Sequence, residues 1–229
     1  MTSSVGRSLV DAQDVSREIR SLTLRLVGDG FAADQNLPRV HSSNRGSVVW
    51  IDTGYEVSSL SGAMSYRDLY HETLQHRLYN VKFRDGGLIQ FHYTFERRRL
   101  KKHRLAFMPS PDLEDLQNDP DLYLDDEEEF FADSIDPRSV ASPLRFDLDY
   151  SAAAGLDHPA CHLTLAGYSA CRIPVSSPLS PSLFVDFVVR SFYNSASKSL
   201  SPPLRPTRLF DVCATAAERG VVYVEVPAR

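Results

Sequence analysis

Cysteine is scarce in this chain and its spacing carries no signature: Cys161, Cys171 and Cys213 are odd in number and form no C-x-x-C pair. Neither a disulfide framework nor a zinc knuckle is supported, and the three thiols are expected as reduced core residues. Long apolar runs are also missing. No stretch approaches the roughly 18 apolar residues that span a bilayer, and Met1 to Val10 lacks the apolar region and small-residue cleavage site of a leader. A cytoplasmic location without a membrane partner is the expectation.

Familiar catalytic signatures are absent as well. The chain contains no G-x-x-x-x-G-K-[ST] phosphate loop, no G-x-G-x-x-G after a strand, no G-x-S-x-G elbow and no H-E-x-x-H helix. Nucleotide hydrolysis, dinucleotide redox chemistry and zincin proteolysis are therefore not expected. No cofactor and no metal site is implied.

What the chain does have is a sizeable apolar complement, 42% of 229 residues, enough for one domain with a substantial core. Its net charge of −5 hides a sharp division. Residues 105–137 hold twelve acidic side chains, with Asp125 to Glu129 as the densest run, and no Lys or Arg. The remainder has 25 basic against 18 acidic residues, a net of +7. An acidic, flexible insert at 112–136 is expected, read either as a solvated loop or as a segment that shields a polyanion-binding body.

Periodicity outlines the elements. Ser8 and Asp11 open a helix whose apolar positions are Val15, Ile19, Leu22 and Leu26, closed by Gly28 and Gly30. Residues 32–47 read as a loop before Val48 to Ile51, and Ser65 caps a helix with Leu69, Tyr70 and Leu74. Tyr79, Val81 and Phe83, the turn Asp85-Gly86-Gly87, and Ile89, Phe91, Tyr93 and Phe95 describe an antiparallel hairpin. After a basic connection, His103 to Met108 supplies a third strand, and Phe146, Leu148 and Tyr150, then His162 to Leu165, two more.

Ser180-Pro181 starts a helix with Leu183, Phe184, Phe187 and Val188 on one stripe, and residues 194–206 read as a loop. A last helix from about Thr207 to Arg219 leads into a terminal strand, Val221 to Val226. This order predicts a single α+β domain spanning 1–229, an antiparallel or mixed sheet flanked by helices and covered on one side.

Two groups of residues could carry chemistry. Asp147 and Asp149 share a strand face, and His158 and His162 lie four residues apart, with Cys161 between them and Arg172 downstream to steady a phosphate. Such groups can serve in acid–base cleavage of a phosphodiester or hold a divalent ion. They can equally be paired carboxylates and turn-capping histidines, with Arg145 or Arg172 as partner. The second group is Arg97, Arg98, Arg99, Lys101, Lys102 and Arg104, six positive charges within eight residues. It reads as a phosphate-contacting finger, a solvated hairpin end, or an intramolecular partner for the acidic insert.

One family carries this order of motifs. Ser65-Tyr66 with Tyr70, the run Asp85 to Phe91 with Tyr93, His103 to Ala106, Pro109-Ser110-Pro111, Arg145 to Asp147, His158-Pro159, His162, Gly167-Tyr168 and Cys171 to Pro174 resemble the bacterial DUF2290 family. The resemblance covers about residues 48–193, and its most specific part is C-R-I-P-V followed by P-L-S-P and the helix ending Phe192-Tyr193. It implies bacterial origin and one domain, and brings no activity with it. The H-P-x-x-H element also looks loosely like a part of small toxins of toxin–antitoxin pairs, although Thr164 stands where that pattern has another histidine.

Three functions fit these features. The first expectation is a binding or accessory subunit of a multi-protein system, plausibly anti-phage defence, with a protein partner docked on the acidic segment or the basic finger. The second is a nuclease-like toxin or effector built on the His/Asp group. The third is a nucleic-acid-binding module without catalysis.

Overall fold

The computed structural model describes residues 10–51, 64–111, 143–165, 171–200 and 202–227. The acidic segment 112–136, Ser8 and Gly167-Tyr168 lie outside the described residues.

The first helix, α1 (Ala12–Gly28), starts at Asp11 rather than Ser8. The Asp11 carboxylate accepts from the Gln13 and Asp14 N–H groups, and the Asp14 side chain accepts from the Asp11 N–H. This reciprocal cap satisfies donors that a helix leaves bare at its start. Val15, Ile19 and Leu26 are fully buried, as their spacing predicts.

Among the described residues, nine strands form one sheet: β1 (Ala32–Gln35), β2 (Arg39–Ser43), β3 (Gly46–Trp50), β4 (Val81–Phe83), β5 (Leu88–Glu96), β6 (Arg99–Met108), β7 (Leu144–Asp149), β8 (Cys161–Leu165) and β9 (Ile173–Pro174). The order is β1-β4-β5-β6-β7-β8-β9, and the β2–β3 hairpin joins through β3 to the far half of β5. All of these pairings are antiparallel.

Register explains the core. Phe91, Leu105, Phe146 and Leu163 are successive cross-strand neighbours and form one apolar row. The helix α3 (Pro181–Phe192), capped by Ser180, sets Phe184 edge-on against Phe91 at 5.9 Å and Phe146 at 6.0 Å. Each such ring contributes about 1.5–3 kcal/mol through its burial. On the other face α2 (Tyr66–Gln75), capped by Ser65, packs Tyr70 with Leu88 and Met108. Helices thus lie against both faces, not one.

Six further features differ from the sequence expectation. The supposed loop 32–47 contains β1 and β2, whose side chains are mostly exposed and show no apolar alternation. The basic connection is strand from Arg99 onward, and Tyr150 falls just beyond β7 with 48% of its surface exposed. Within 194–206 there is a short helix, α4 (Asn194–Ser199).

The C-terminal helix shrinks to α5 (Ala216–Arg219), because the capping box of Thr215 with Glu218 starts it there. Upstream, Cys213 and Ala214 donate their N–H groups to the Ser176 carbonyl, so these donors bond across to another segment and not within a helix. The expected terminal strand is reduced to one parallel bridge, Val224 with Val175.

Candidate functional site

Opposite the core row, the same four strands align His92, Arg104, Asp147 and His162 as cross-strand neighbours. The next row places Lys102 beside Asp149. Lys102 and Arg104 of the finger therefore share one polar face with Asp147 and Asp149, and are the partners of these supposed catalytic carboxylates.

Asp147 accepts from Arg104 Nε at 3.2 Å and Arg145 Nε at 2.5 Å, and its side chain is 12% exposed. Asp149 takes Lys102 Nζ at 2.7 Å and both the N–H and hydroxyl of Ser151. Burial alone would raise the Asp149 pKa, but these hydrogen bonds outweigh it and hold the carboxyl below its ordinary value.

His162 lies behind Asp147. Its Nδ1 is 2.8 Å from the Pro159 carbonyl, so Nδ1 carries the hydrogen, and Nε2 is 3.9 Å from Asp147 Oδ2, beyond hydrogen-bond reach. Burial pushes the His162 pKa down, more than the Pro159 carbonyl and Asp147 raise it, with further downward pushes from His158 and then Arg172. The ring is neutral at pH 7 and only 5% exposed. His158 packs against it with centroids 5.1 Å apart. So Asp147, His158 and His162 converge with Arg172 nearby, while Asp149 belongs to the Lys102 pair. Among the described residues no group of three or more His, Cys, Asp or Glu side chains is placed to hold a metal ion.

The finger is a tight hairpin. Glu96 pairs with Arg99, leaving Arg97 and Arg98 as a two-residue turn with φ of 48° and 62°. Positive φ at both positions is the type I′ turn that suits strand twist, normally built from Asn-Gly, and each non-glycine residue there carries about 1 kcal/mol of backbone strain or more. A bulge follows. Phe95 faces Leu100 but Thr94 faces Lys102, so Lys101 is the extra residue. The bulge turns Leu100 to the core while Lys101 and Lys102 both keep about half their surface in solvent.

Three grooves meet at this tip, of about 640, 560 and 570 Å³. Arg45, Arg97, Arg98, Arg99, Lys101 and Lys102 line them, together with the carboxylates of Asp11, Glu96, Asp149 and Asp211. Arg98 reaches Asp11 at 3.1 Å and Lys101 reaches Glu96 at 3.1 Å. Arg97 and Arg99 pair with no carboxylate among the described residues. Arg45 was missed by sequence reasoning because it arrives from the β2–β3 turn, which sits tight on β5: a Cβ on Gly46 would meet the Phe95 carbonyl oxygen at 2.1 Å.

The model of the uncharacterized conserved protein family DUF2290 matches residues 31–226. The chain belongs to the DUF2290 family. That span carries the whole sheet and extends beyond residues 48–193, over which the motif resemblance was legible. No curated protein and no solved structure matches the chain. Among the described residues no helix is long and apolar enough to cross a membrane.

Proposed function

We propose that this DUF2290 member is a binding subunit that engages the phosphate backbone of a nucleic acid through its β5–β6 hairpin, as one component of a larger assembly. The observation that carries this reading is the Arg97-Arg98 turn, where two exposed arginines occupy positions that favour Asn-Gly. Strained backbone that persists against local preference marks a functional position. The ion pairs of Arg98 and Lys101 are exposed and contribute roughly 0–1 kcal/mol, so phosphates can replace their carboxylates.

A role for His162 as general base has less support. Its Nδ1 is engaged by Pro159, its Nε2 lies 3.9 Å from Asp147, and the side chain is only 5% exposed, which leaves a substrate little access to the ring. Asp147 between Arg104 and Arg145 has the form of a structural ion-pair network.

The test is fluorescence anisotropy with labelled DNA and RNA of defined length across a salt series. Affinity should fall steeply with salt. The double variant Arg97→Asn with Arg98→Gly keeps the turn, and it should make the slope of log K against log salt shallower by about 0.7–0.9 for each phosphate it no longer neutralises. Equal affinity and slope in the two proteins would remove the hairpin from the interface.

A further inference from the structure

Two of the grooves that meet at the hairpin tip share one aromatic ring. Tyr150 lines both the groove bounded by Arg98, Arg99 and Leu209 and the groove bounded by Arg45, Lys102 and Thr94, and Lys101 lines both as well. The ring leaves the sheet immediately after Asp149, the partner of Lys102, and 48% of its surface is exposed.

It is also held in place. Its hydroxyl neighbours the Cys213 thiol, and the Cys213 N–H donates to the Ser176 carbonyl. Burial, followed by the neighbouring Cys213 and Cys161, pushes the Tyr150 hydroxyl up to about 12, so the phenol is neutral at physiological pH.

We infer that the nucleic acid bound at the hairpin is single-stranded, with one unpaired base stacked on Tyr150 and the flanking phosphates in the grooves on its two sides. This deepens the hairpin reading and rests on it. The chemistry favours a single strand over a duplex. A ring flanked by cations on both sides offers a π-face that only an unstacked base can occupy, and stacking of this kind tolerates any base. An acidic peptide would satisfy the cations but leave the ring unused. A duplex would present its phosphates to Arg97 and Arg99 and keep its bases out of reach.

The experiment compares a 20-nucleotide single strand with the matching duplex by anisotropy at fixed salt, using the intact protein, Tyr150→Leu and Tyr150→Phe. The single strand should bind more tightly to the intact protein. Tyr150→Leu should lose roughly 5- to 100-fold on the single strand and little on the duplex, and Tyr150→Phe should retain most of the affinity.

Photocrosslinking of the unmodified protein to a bromouridine-substituted single strand, with the product mapped by mass spectrometry, should mark the peptide containing Tyr150. A crosslink confined to other peptides would overturn the stacking. Unchanged single-strand affinity in Tyr150→Leu, with binding still lost in Arg97→Asn plus Arg98→Gly, would overturn the stacking and leave the hairpin interface standing. Failure of the intact protein to bind either oligonucleotide would overturn both.

Discussion

Tyr193 at the end of α3 donates its hydroxyl to Asp85 in the β4–β5 turn, with oxygen–oxygen distances of 2.9 and 3.1 Å. Asp85 also accepts from the Gly87 N–H at 2.9 Å, so a buried carboxylate joins helix and hairpin. Burial raises the Asp85 pKa, against which the Gly87 and Tyr193 hydrogen bonds act.

Tyr193→Phe should destabilise the fold by about 1–3 kcal/mol at pH 7, because a buried carboxyl loses a donor. The deficit should shrink at lower pH as Asp85 takes up a proton and its need for donors falls. Urea unfolding of both proteins at two pH values checks the size and the sign. Gly87→Ala should be at least as damaging, since its Cβ would meet Tyr193 Oη at 2.5 Å.

His103 faces the core. Its Nδ1 is 3.2 Å from the Phe146 carbonyl and its Nε2 is buried without a partner among the described residues. Burial lowers its pKa from 6.5 to about 4, and burial followed by the Arg104 charge does the same to His92. Both values are depressed in the folded state, so their stabilising effect is complete above about pH 6.5 and is lost as pH falls from there to about 4. His103 alone should account for a loss on the order of 3 kcal/mol. Thermal unfolding against pH should show a shallower acid limb in His103→Phe.

Replacing the Arg97-Arg98 turn by Asn-Gly should raise stability by up to about 1–2 kcal/mol while weakening nucleic-acid binding. Unfolding midpoints measured beside the anisotropy series would show the two effects moving in opposite directions. A drop in stability would mean that the Arg98–Asp11 pair contributes more than the turn strain removes.

Thiol reactivity should be graded. Cys161 donates its S–H to Cys213, which lowers the Cys213 pKa, while burial holds Cys161 well above its ordinary value. Brief iodoacetamide treatment of the native protein, followed by peptide mapping, should modify Cys213 ahead of the buried Cys161. Cys161→Ala should slow Cys213 labelling at neutral pH.

The centre of the sheet was legible in the sequence because its strands alternate. In β5 and β6, Phe91, Tyr93, Leu105 and Phe107 face the core, and period-two burial is what a sequence displays most openly. The edges were not legible. Arg39, His41, Ser42 and Ser43 in β2 are exposed, so nothing in their pattern separates strand from loop.

Val221 and Val222 mislead in the opposite sense. They read as strand yet sit in a bend, with Val222 90% exposed. At the candidate site, the His158 and His162 spacing was readable. The pairing of Arg104 with Asp147 was not, because it depends on the register of strands that the acidic segment separates in the sequence. The I′ turn was hidden because two arginines stand where glycine and asparagine usually announce one.

That register has a consequence for the chain's architecture. Phe107 and Leu144 are direct partners, so the polypeptide leaves the sheet near Pro109 and re-enters on the adjacent strand. Those two strands are antiparallel neighbours, and for a flexible connection closing such a pair the cost grows only logarithmically with length, about 0.6 kcal/mol for each doubling. The β6–β7 junction is thus a single closure, and a variant shortened within 112–142 that keeps Phe107 opposite Leu144 should keep the ladder of Lys102, Arg104, Asp147 and Asp149 aligned.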